Sequence, residues 1–595
     1  MLHQASVVAL ACVAVSCSRQ AAAPPPAEPT FARDIAPIVY TQCATCHRPG
    51  EAGPFSLLTY ADVRKRARQI AEVTGSRYMP PWMPEPGHGD FVGERRLTAA
   101  QIATIQRWVE RGAPEGDARD LPAPPSFPHG WQLGTPDLTV EMPAPVAVPA
   151  EGLDQFRTVI VPVAIDGPKY VRAVEFRPGN ARAVHHAMVR LVRAADGGPW
   201  TPDGEPRSAE GGKRIAESKE RLAESGSRIP ESGVRIADRG ARTADGGSRI
   251  ADRGYRVIES EAMLSTEEDI VSPDGHVIGW APGYSPTVAP EGLAWRLEPG
   301  TALAIELHLQ ATGKVERVQA TVGLFFTADA PARQPFGLQL GSYTIDIPPG
   351  AREYQVEDHY ELPVDVDLYA IYPHAHYLGK ELRAFATLPD GTERSLVWIR
   401  DWDFNWQNAY RYRTPPRLPR GTILRMRYTY DNSAENPRNP SRPPVRVRYG
   451  GRSVDEMGNL WMQVVPVNPG ELAALRVDYD RTSAERQIAG FEAMRREHPA
   501  SPGVPRALGT AYLRVGRVDE AIVALSAAAR LAPRDVIVRY NLAHALASKG
   551  RTREAATQFR EAARLQPAFA EAHNNLGALL RQSGDLAGAE RAFRA

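Results

Sequence analysis

From residue 503 onward the chain repeats itself every 34 residues. RALGTAYLRVGRVDEAIVALSAAARLAP is followed by RYNLAHALASKGRTREAATQFREAARLQP, and then by AHNNLGALLRQSGDLAGAERAFRA. Gly516, Gly550 and Gly584 fall in register, as do Ala521, Ala555 and Ala589, and Pro533 and Pro567. A unit this short cannot bury an apolar face alone, so neighbours must stack into an α-solenoid. Each unit reads as two helices joined at the glycine. The third stops inside its second helix, as a chain cut from a longer one would. The stretch 479–502 reads as a divergent helical lead-in, so the helical array is expected over 479–595.

Upstream, from about 151 to 470, the pattern changes. Runs such as RTVIVPVAI, YVRAVEFRP, ALAIELHLQ, VQATVGLFF, VDLYAIYPHAH and TILRMRYTYD are β-branched or alternating, and Gly, Pro, Asn and Asp separate them. This is the pattern of antiparallel β-sandwiches. One tract interrupts it. Residues 213–261 repeat every seven, with Arg at 214, 221, 228, 235, 242, 249 and 256. A coiled coil needs two apolar positions per heptad; these repeats have one, with Gly and Pro inside. The tract reads as an expanded, mostly disordered loop between two strands.

Residues 30–118 read as a small helical domain, and the Pro-rich stretch 119–150 as a linker. FARDIAPIVYTQCATCHRPG is an amphipathic helix running into Cys43, Cys46 and His47, a CxxCH; LTAAQIATIQRWVERGAPEGD is a second helix. Two thiols and a following histidine in this spacing are expected to attach haem and ligate its iron, with a CxxC redox pair or half a zinc site as the alternatives; an exported, short helical domain favours haem. The stretch RYMPPWMPEPGHGD offers Met79, Met83 and His88 for the other axial position, with Met79 preferred. Ahead of this domain, residues 1–17 carry an apolar run of signal-peptide length, without Lys or Arg at its start. Ala14-Val15-Ser16-Cys17 has the form of a bacterial lipobox; the small residues Ala21–Ala23 offer ordinary cleavage instead. Residues 18–29 read as a Pro-rich tether. Cys12 and Cys17 lie in this leader, so no cysteine remains for a structural disulfide.

Lys plus Arg number 71 against 70 Asp plus Glu, which gives no electrostatic case for nucleic acid or an anionic membrane. Histidine is scarce, 14 in 595 residues, yet it clusters in the β-region. His374 and His376 stand at alternate positions of a strand and so project to one face. Adjacent His185 and His186 point to opposite faces of a regular strand and need a strand end or a bulge to converge. His308 lies on a third strand. Imidazole suits copper, and a thioether such as that of Met457 favours Cu(I).

Motif by motif, the order is His185-His186 in VHHAMV, His308 in IELHLQATG, His374 and His376 in HAHYLGK, and Met457 in DEMGNL. GWAPGYSPTVAPEGLAWRLEPG leads into the third histidine. This order resembles the copper type II, ascorbate-dependent monooxygenases, the family of peptidylglycine α-hydroxylating and dopamine β-monooxygenases, over about 320 residues. The CxxCH segment resembles class I c-type cytochromes, and the C-terminal repeat resembles tetratricopeptide repeats. The resemblance implies two all-β jelly-roll sandwich domains, here 151–325 and 326–470, between an all-α cytochrome c domain and the solenoid. It implies one copper per jelly roll. His185, His186 and His308 would form the electron-storing site, and His374, His376 and Met457 the oxygen-activating, catalytic one. The cofactors would be two copper ions and one haem c on Cys43, Cys46, His47 and Met79.

Departures bear on the substrate. Where the peptide-amidating enzyme has an Arg two residues before HxH, this chain has Tyr372; a Tyr four residues after the ligand Met is Trp461, while Asn459 is kept. A C-terminal-glycine peptide is therefore not the expected substrate. Met188, Met426 and Met462 read as core, and His129, His276 and His359 as surface or structural. The expectation is an exported oxidoreductase of the bacterial periplasm or cell surface, anchored by lipid only if Cys17 is modified. It would hydroxylate a C–H bond of an organic substrate with O₂, with electrons from an external one-electron donor passing through the haem. The repeats would bind a protein or peptide. The alternative is an electron-transfer cytochrome whose sandwich is a non-catalytic scaffold and whose repeats dock a partner.

Overall fold

The β-branched runs form strands and the periodic segments form helices, in a computed structural model of the full chain. The structure describes residues 28–595 except 52, 128–129, 153, 193–247, 252–254, 261–269, 272–275, 277, 284–285, 498–502 and 568. The leader, most of the 18–29 tether, His129 and most of the heptad tract lie outside the described residues. Among the described residues no helix is long and apolar enough to cross a membrane. The chain divides into two units. One holds the described residues up to Arg48, Phe55–Pro80 and Leu97–Pro125; the other holds Pro49–Pro54, Pro81–Arg96 and all from Ser126 on.

The first unit is helical: α1 (Ala36–Gln42), α2 (Tyr60–Lys65), α3 (Ala67–Gly75) and α4 (Ala99–Glu110). A capping box starts α4. The Thr98 hydroxyl accepts from the Gln101 N–H and the Gln101 side chain accepts from the Thr98 N–H, which satisfies two donors at once. Phe31, Ile35, Val39, Ile70, Ile105 and Trp108 fill one core.

Residues 81–96 do not belong to this helical unit, contrary to the expected single domain over 30–118. Pro81, Pro84 and Pro86 bar a helix there. The aromatic residues of the stretch find partners in the second unit instead. Trp82 and Phe91 lie 5.4 and 5.3 Å from the Tyr410 ring, and Phe91 bridges to Tyr412.

In the second unit the first β-region contains β1 (Leu138–Glu141), β2 (Gln155–Pro162), β3 (Lys169–Arg177), β4 (Val184–Val192), β5 (Ala302–Leu309) and β6 (Thr321–Thr327). One open sheet runs β1-β6-β3 and a second has β5 between β2 and β4, all antiparallel. Val174, Val322 and Leu324 from one sheet and Val159, Val189, Leu303 and Ile305 from the other share one core. All of β5 is buried. Its odd-numbered leucines and Ile305 face that core, and Ala302, Ala304, Glu306 and His308 face the other way.

The last heptads are not loop. Ser248–Ala251 and Tyr255–Ser260 pair with each other, and the latter with β2. The reason is local: Ile250, Val257 and Ile258 favour strand, and β2 offers an unpaired edge.

The second β-region contains β7 (Phe336–Gly341), β8 (Tyr354–Glu361), β9 (Val366–Ala375), β10 (Gly379–Thr387), β11 (Glu393–Ile399), β12 (Tyr410–Arg411), β13 (Ile423–Tyr430) and β14 (Gly458–Pro466). The sheets β7-β14-β9-β12 and β8-β13-β10-β11 are open and enclose a core of Leu340, Leu368, Leu382, Ala384, Met426, Tyr428 and Met462. Met426 and Met462 are the core residues expected, whereas Met188 is only half-buried.

The helices that follow are α5 (Leu472–Glu497), α6 (Gly503–Arg514), α7 (Val518–Leu531), α8 (Val536–Ser548), α9 (Thr552–Leu565), α10 (Ala570–Gln582) and α11 (Leu586–Arg594). α5 starts seven residues before the expected 479, because its first turns belong to the β-region's core: Leu475 and Tyr479 are buried there. The Tyr479 hydroxyl donates to the Gln339 carbonyl at 3.0 Å and accepts its N–H at 2.8 Å. The six helices after it pair at the period read from the sequence.

Candidate metal centre

His186 and His308 stand directly opposite on β4 and β5. The ladder then shifts register, so that Leu309 faces Val184 and His185 is the extra residue of a bulge. The bulge is what brings two adjacent histidines to one side. The three Nδ1 atoms lie 3.0, 3.2 and 3.2 Å apart, and all three side chains are buried. A ring nitrogen is either a donor or an acceptor, never both. Three nitrogens facing one another therefore cannot satisfy all three contacts by hydrogen bonding; at least one pair must oppose like groups. A cation shared by three lone pairs removes that conflict. A circle through the three nitrogens has a radius of about 1.8 Å (mean side over √3), within reach of a metal–imidazole bond of about 2.0–2.1 Å.

For His308 a neighbouring carboxylate favours the tautomer with a lone pair on Nδ1. His308 Nε2 donates to Asp154 at 2.9 Å, and Asp154 also accepts from the Ser453 hydroxyl at 2.7 Å. That carboxylate fixes the His308 tautomer, as second partners of metal-bound histidines do. Burial pushes His185 down to about 3 and His186 well below its usual value. No proton then competes with a metal near neutrality.

The second cluster is built on β9 and β14. His374 lies opposite Asn459 and Ala375 opposite Gly458, where the ladder ends, and the Asn459 amide donates to Met457 Sδ at 3.8 Å. The two imidazoles are 5.1 Å apart, centroid to centroid. Gln407 Oε1 accepts from His374 Nδ1 and from the Tyr372 hydroxyl, and the Asp455 carbonyl accepts from His376 Nδ1 at 3.0 Å. Both Nδ1 atoms therefore carry the proton and both Nε2 atoms keep a lone pair. Burial lowers His374 to about 3 and His376 to about 4. Met457 is buried with them.

Glu456 holds this corner together. Fully buried, its carboxyl accepts the N–H groups of His376, Leu378 and Met457. Burial raises it to about 8 despite these donors.

The two clusters face each other across one ring. The Phe404 centroid is 5.2 Å from His185, 5.9 Å from His308, 6.5 Å from His374 and 5.4 Å from His376. Phe404 opens a short 3₁₀ turn whose cap is Asp403, the side chain of which accepts from the Asn405 N–H. Sequence reasoning missed Phe404, Asp154, Ser453, Gln407 and Glu456. The aromatic run DWDFNW was the one local signal for the first of them; the others act through contacts remote in sequence.

In the first unit, Cys43 follows α1 and its carbonyl accepts the N–H of His47 at 2.9 Å, which folds CxxCH into a single turn. His47 Nδ1 faces the Phe55 carbonyl at 3.2 Å, which assigns the proton to Nδ1 and the lone pair to Nε2. Burial lowers His47 and pushes the Cys43 thiol up to about 12. Met79 belongs to this unit; Met83 and His88 belong to the other. Met83 Sδ takes the Asp403 N–H at 3.4 Å, and His88 Nδ1 meets the Ser395 hydroxyl at 2.7 Å. His276, expected at the surface or as structural, is buried beside Gln463, whereas His359 is exposed.

Comparison with known proteins bears on the C-terminal helices. Residues 506–552 match the family model described as tetratricopeptide repeat, and residues 543–584 the one described as TPR repeat. No curated protein matches the chain. Solved structures similar to it include MamA MSR-1, 28% identical over 20% of this chain and 70% of that one, with a TM-score of 0.19. MamA AMB-1 is 26% identical over 21% and 72%, with a TM-score of 0.18. MamA 41-end from Desulfovibrio magneticus RS-1 is 20% identical over 19% and 64%, with a TM-score of 0.19. The helices that close this chain are tetratricopeptide repeats, modules through which proteins commonly bind other proteins.

Proposed function

We propose that this chain is an exported copper-dependent monooxygenase with a fused c-type cytochrome. The two β-regions would be jelly rolls, each holding one copper, and the first unit a class I cytochrome c with haem on Cys43, Cys46, His47 and Met79. The observation that carries the reading is the convergence of three buried imidazole lone pairs from β4 and β5, facing a second His-His-Met cluster across Phe404. The overall reaction would be R–H + O₂ + 2 H⁺ + 2 e⁻ giving R–OH + H₂O. Copper, when bound, supplies the one-electron chemistry and the activation of O₂. The chain's own residues do the rest. Asp154, Gln407 and the Asp455 carbonyl hold the histidines in ligating tautomers. Glu456 fixes Met457 against His376. Phe404 places an apolar ring between the clusters. The tetratricopeptide repeats would take a protein or peptide partner in their groove, and Cys17 would carry any lipid anchor.

The test is metal content. Protein matured with haem and loaded with copper should hold two coppers and one iron per chain, and His374→Ala/His376→Ala should lose one copper. Iron without copper would refute this reading and leave a cytochrome on an inert scaffold.

A further inference from the structure

The two imidazole clusters are joined through one carboxylate oxygen. Asp154 stands immediately before β2, whose Phe156 lies opposite His308 and stacks on its ring at 4.5 Å and 22°. Asp154 Oδ2 accepts from His308 Nε2 at 2.9 Å and from the Ser453 hydroxyl at 2.7 Å. His308 belongs to the first cluster. Ser453 belongs to the loop that supplies the second.

That loop is closed on itself. Tyr449 and Glu456 form a bridge, the Gly450 N–H donates to the Glu456 carbonyl at 3.2 Å, and the Glu456 N–H donates to the Arg448 carbonyl at 2.9 Å. Inside it the Asp455 N–H donates to the Arg452 carbonyl at 2.9 Å, and the Arg452 guanidinium donates to both oxygens of the Asp455 carboxylate, at 2.7 and 2.9 Å. A Cβ on Gly450 would fall 2.9 Å from Asp455 Cβ, so glycine lets the turn close this tightly. A loop tied at so many points moves as one piece. It presents the Asp455 carbonyl to His376 Nδ1, the Glu456 carboxyl to the His376 N–H, and Met457 as the thioether of the cluster. A constraint on Ser453 therefore reaches three groups of the second cluster at once.

We propose that Asp154 and Ser453 are positioning residues of a relay between the clusters: what orders His308 orders the loop that carries Met457, and a metal in one cluster raises the affinity of the other. A cation on His308 Nδ1 draws density from the ring and makes Nε2–H a stronger donor, which fixes Asp154 and through it Ser453. A loop already ordered costs less to order when the second cluster takes its ion, and the coupling acts equally in both directions. For the metals this rests on the copper reading; the relay from His308 to the loop does not.

Amide hydrogen exchange on the full chain, read for residues 451–457, tests the relay without metal. His308→Ala should speed exchange of that loop by about fivefold or more, because Asp154 loses the partner that holds it. In a Ser453→Ala background the same change should add nothing, and in Ser453→Thr, which keeps the hydroxyl, it should act in full. Copper(I) titration against a competing chelator tests the coupling. Asp154→Ala and Ser453→Ala remove no ligand of the His374 cluster, yet each should lower its affinity by about fivefold or more and weaken the copper–sulfur signal of Met457 in X-ray absorption, with Ser453→Thr keeping both. Exchange in 451–457 that ignores His308→Ala, or that responds equally without the Ser453 hydroxyl, overturns the proposal. A responsive loop in a chain that takes no copper would sink the monooxygenase reading and leave the relay standing; two coppers whose affinities ignore Asp154→Ala and Ser453→Ala would do the reverse.

Discussion

Phe404 is the side chain on which the two imidazole clusters depend together, yet it offers no ligand atom. It is almost fully buried, and its ring contacts four histidines. Replacing it with alanine should cost about 3–5 kcal/mol, the usual range for removing a buried phenyl group, read as a lower midpoint in urea unfolding. Copper per chain should stay unchanged, since no donor is removed. Glu456 should behave differently. Glu456→Ala strands three buried N–H groups, at about 3 kcal/mol or more in all, and frees the Met457 loop, so copper should be lost from that cluster as well. Metal analysis of the two variants side by side separates a wedge from a bracket. The clustering of the histidines was legible in the sequence, because alternation on a strand and a two-His bulge are local facts about backbone geometry. Their partners were not. Asp154 meets Ser453 across 299 residues and His374 meets Gln407 across 33, distances that only the folded sheets close. Met79 and Met83 share the same Met-Pro signal, and nothing local tells that the second would be spent on the Asp403 N–H.

At the scale of elements, small residues decide how helices meet. Gly509, Ala543 and Gly577 recur at the 34-residue period, where the first helix of each repeat crosses the second. A Cβ on Gly509 would fall 2.4 Å from Leu525 Cγ, and one on Gly577 would fall 2.6 Å from the Phe593 ring. Gly550, by contrast, meets nothing but sits at φ +70° in the turn between α8 and α9. Gly550→Ala should therefore cost only about 1–2 kcal/mol, the penalty of a left-handed backbone, whereas Gly509→Val should shift the melting of the repeats much further. Thermal unfolding followed by helical circular dichroism ranks the two. The joint between repeats and β-region has its own close contact: a Cβ on Gly490 of α5 would fall 2.2 Å from Tyr343 Cβ. Gly490→Ala should loosen α5 and make it the first site of limited proteolysis. The repeat period gave α6 to α11 directly, since each turn glycine recurs. It could not give the start of α5, whose first residues answer to Gln339 and the sandwich core rather than to any period. The same limit explains the heptad tract. Its arginine period hid the β-branched residues that complete the edge of β2.

For the whole molecule, the proposed haem and the proposed copper clusters would share one chain, which bears on how electrons would reach the copper. CxxCH and Met79 lie in one unit and both histidine clusters in the other, and the backbone passes between the units after Arg48, Pro54, Pro80, Arg96 and Pro125. A donor tied by several passages of chain acts at a fixed effective concentration, independent of how much protein is present. A free donor has no such advantage here. With 71 basic against 70 acidic residues, the net charge offers little long-range steering to a charged partner. If the haem feeds the His185/His186/His308 cluster, reduced haem in copper-loaded protein should be reoxidised under O₂ in a first-order step whose rate does not change with protein concentration. Removing copper, or replacing His308 with alanine, should slow it to the rate of haem with O₂ alone. Stopped-flow absorbance at the haem bands makes the measurement. A rate that is the same with and without copper would sever the two halves of the mechanism and assign the electrons to an external donor acting at the copper itself. A rate that climbs with protein concentration would mean that the haem of one chain serves the copper of another.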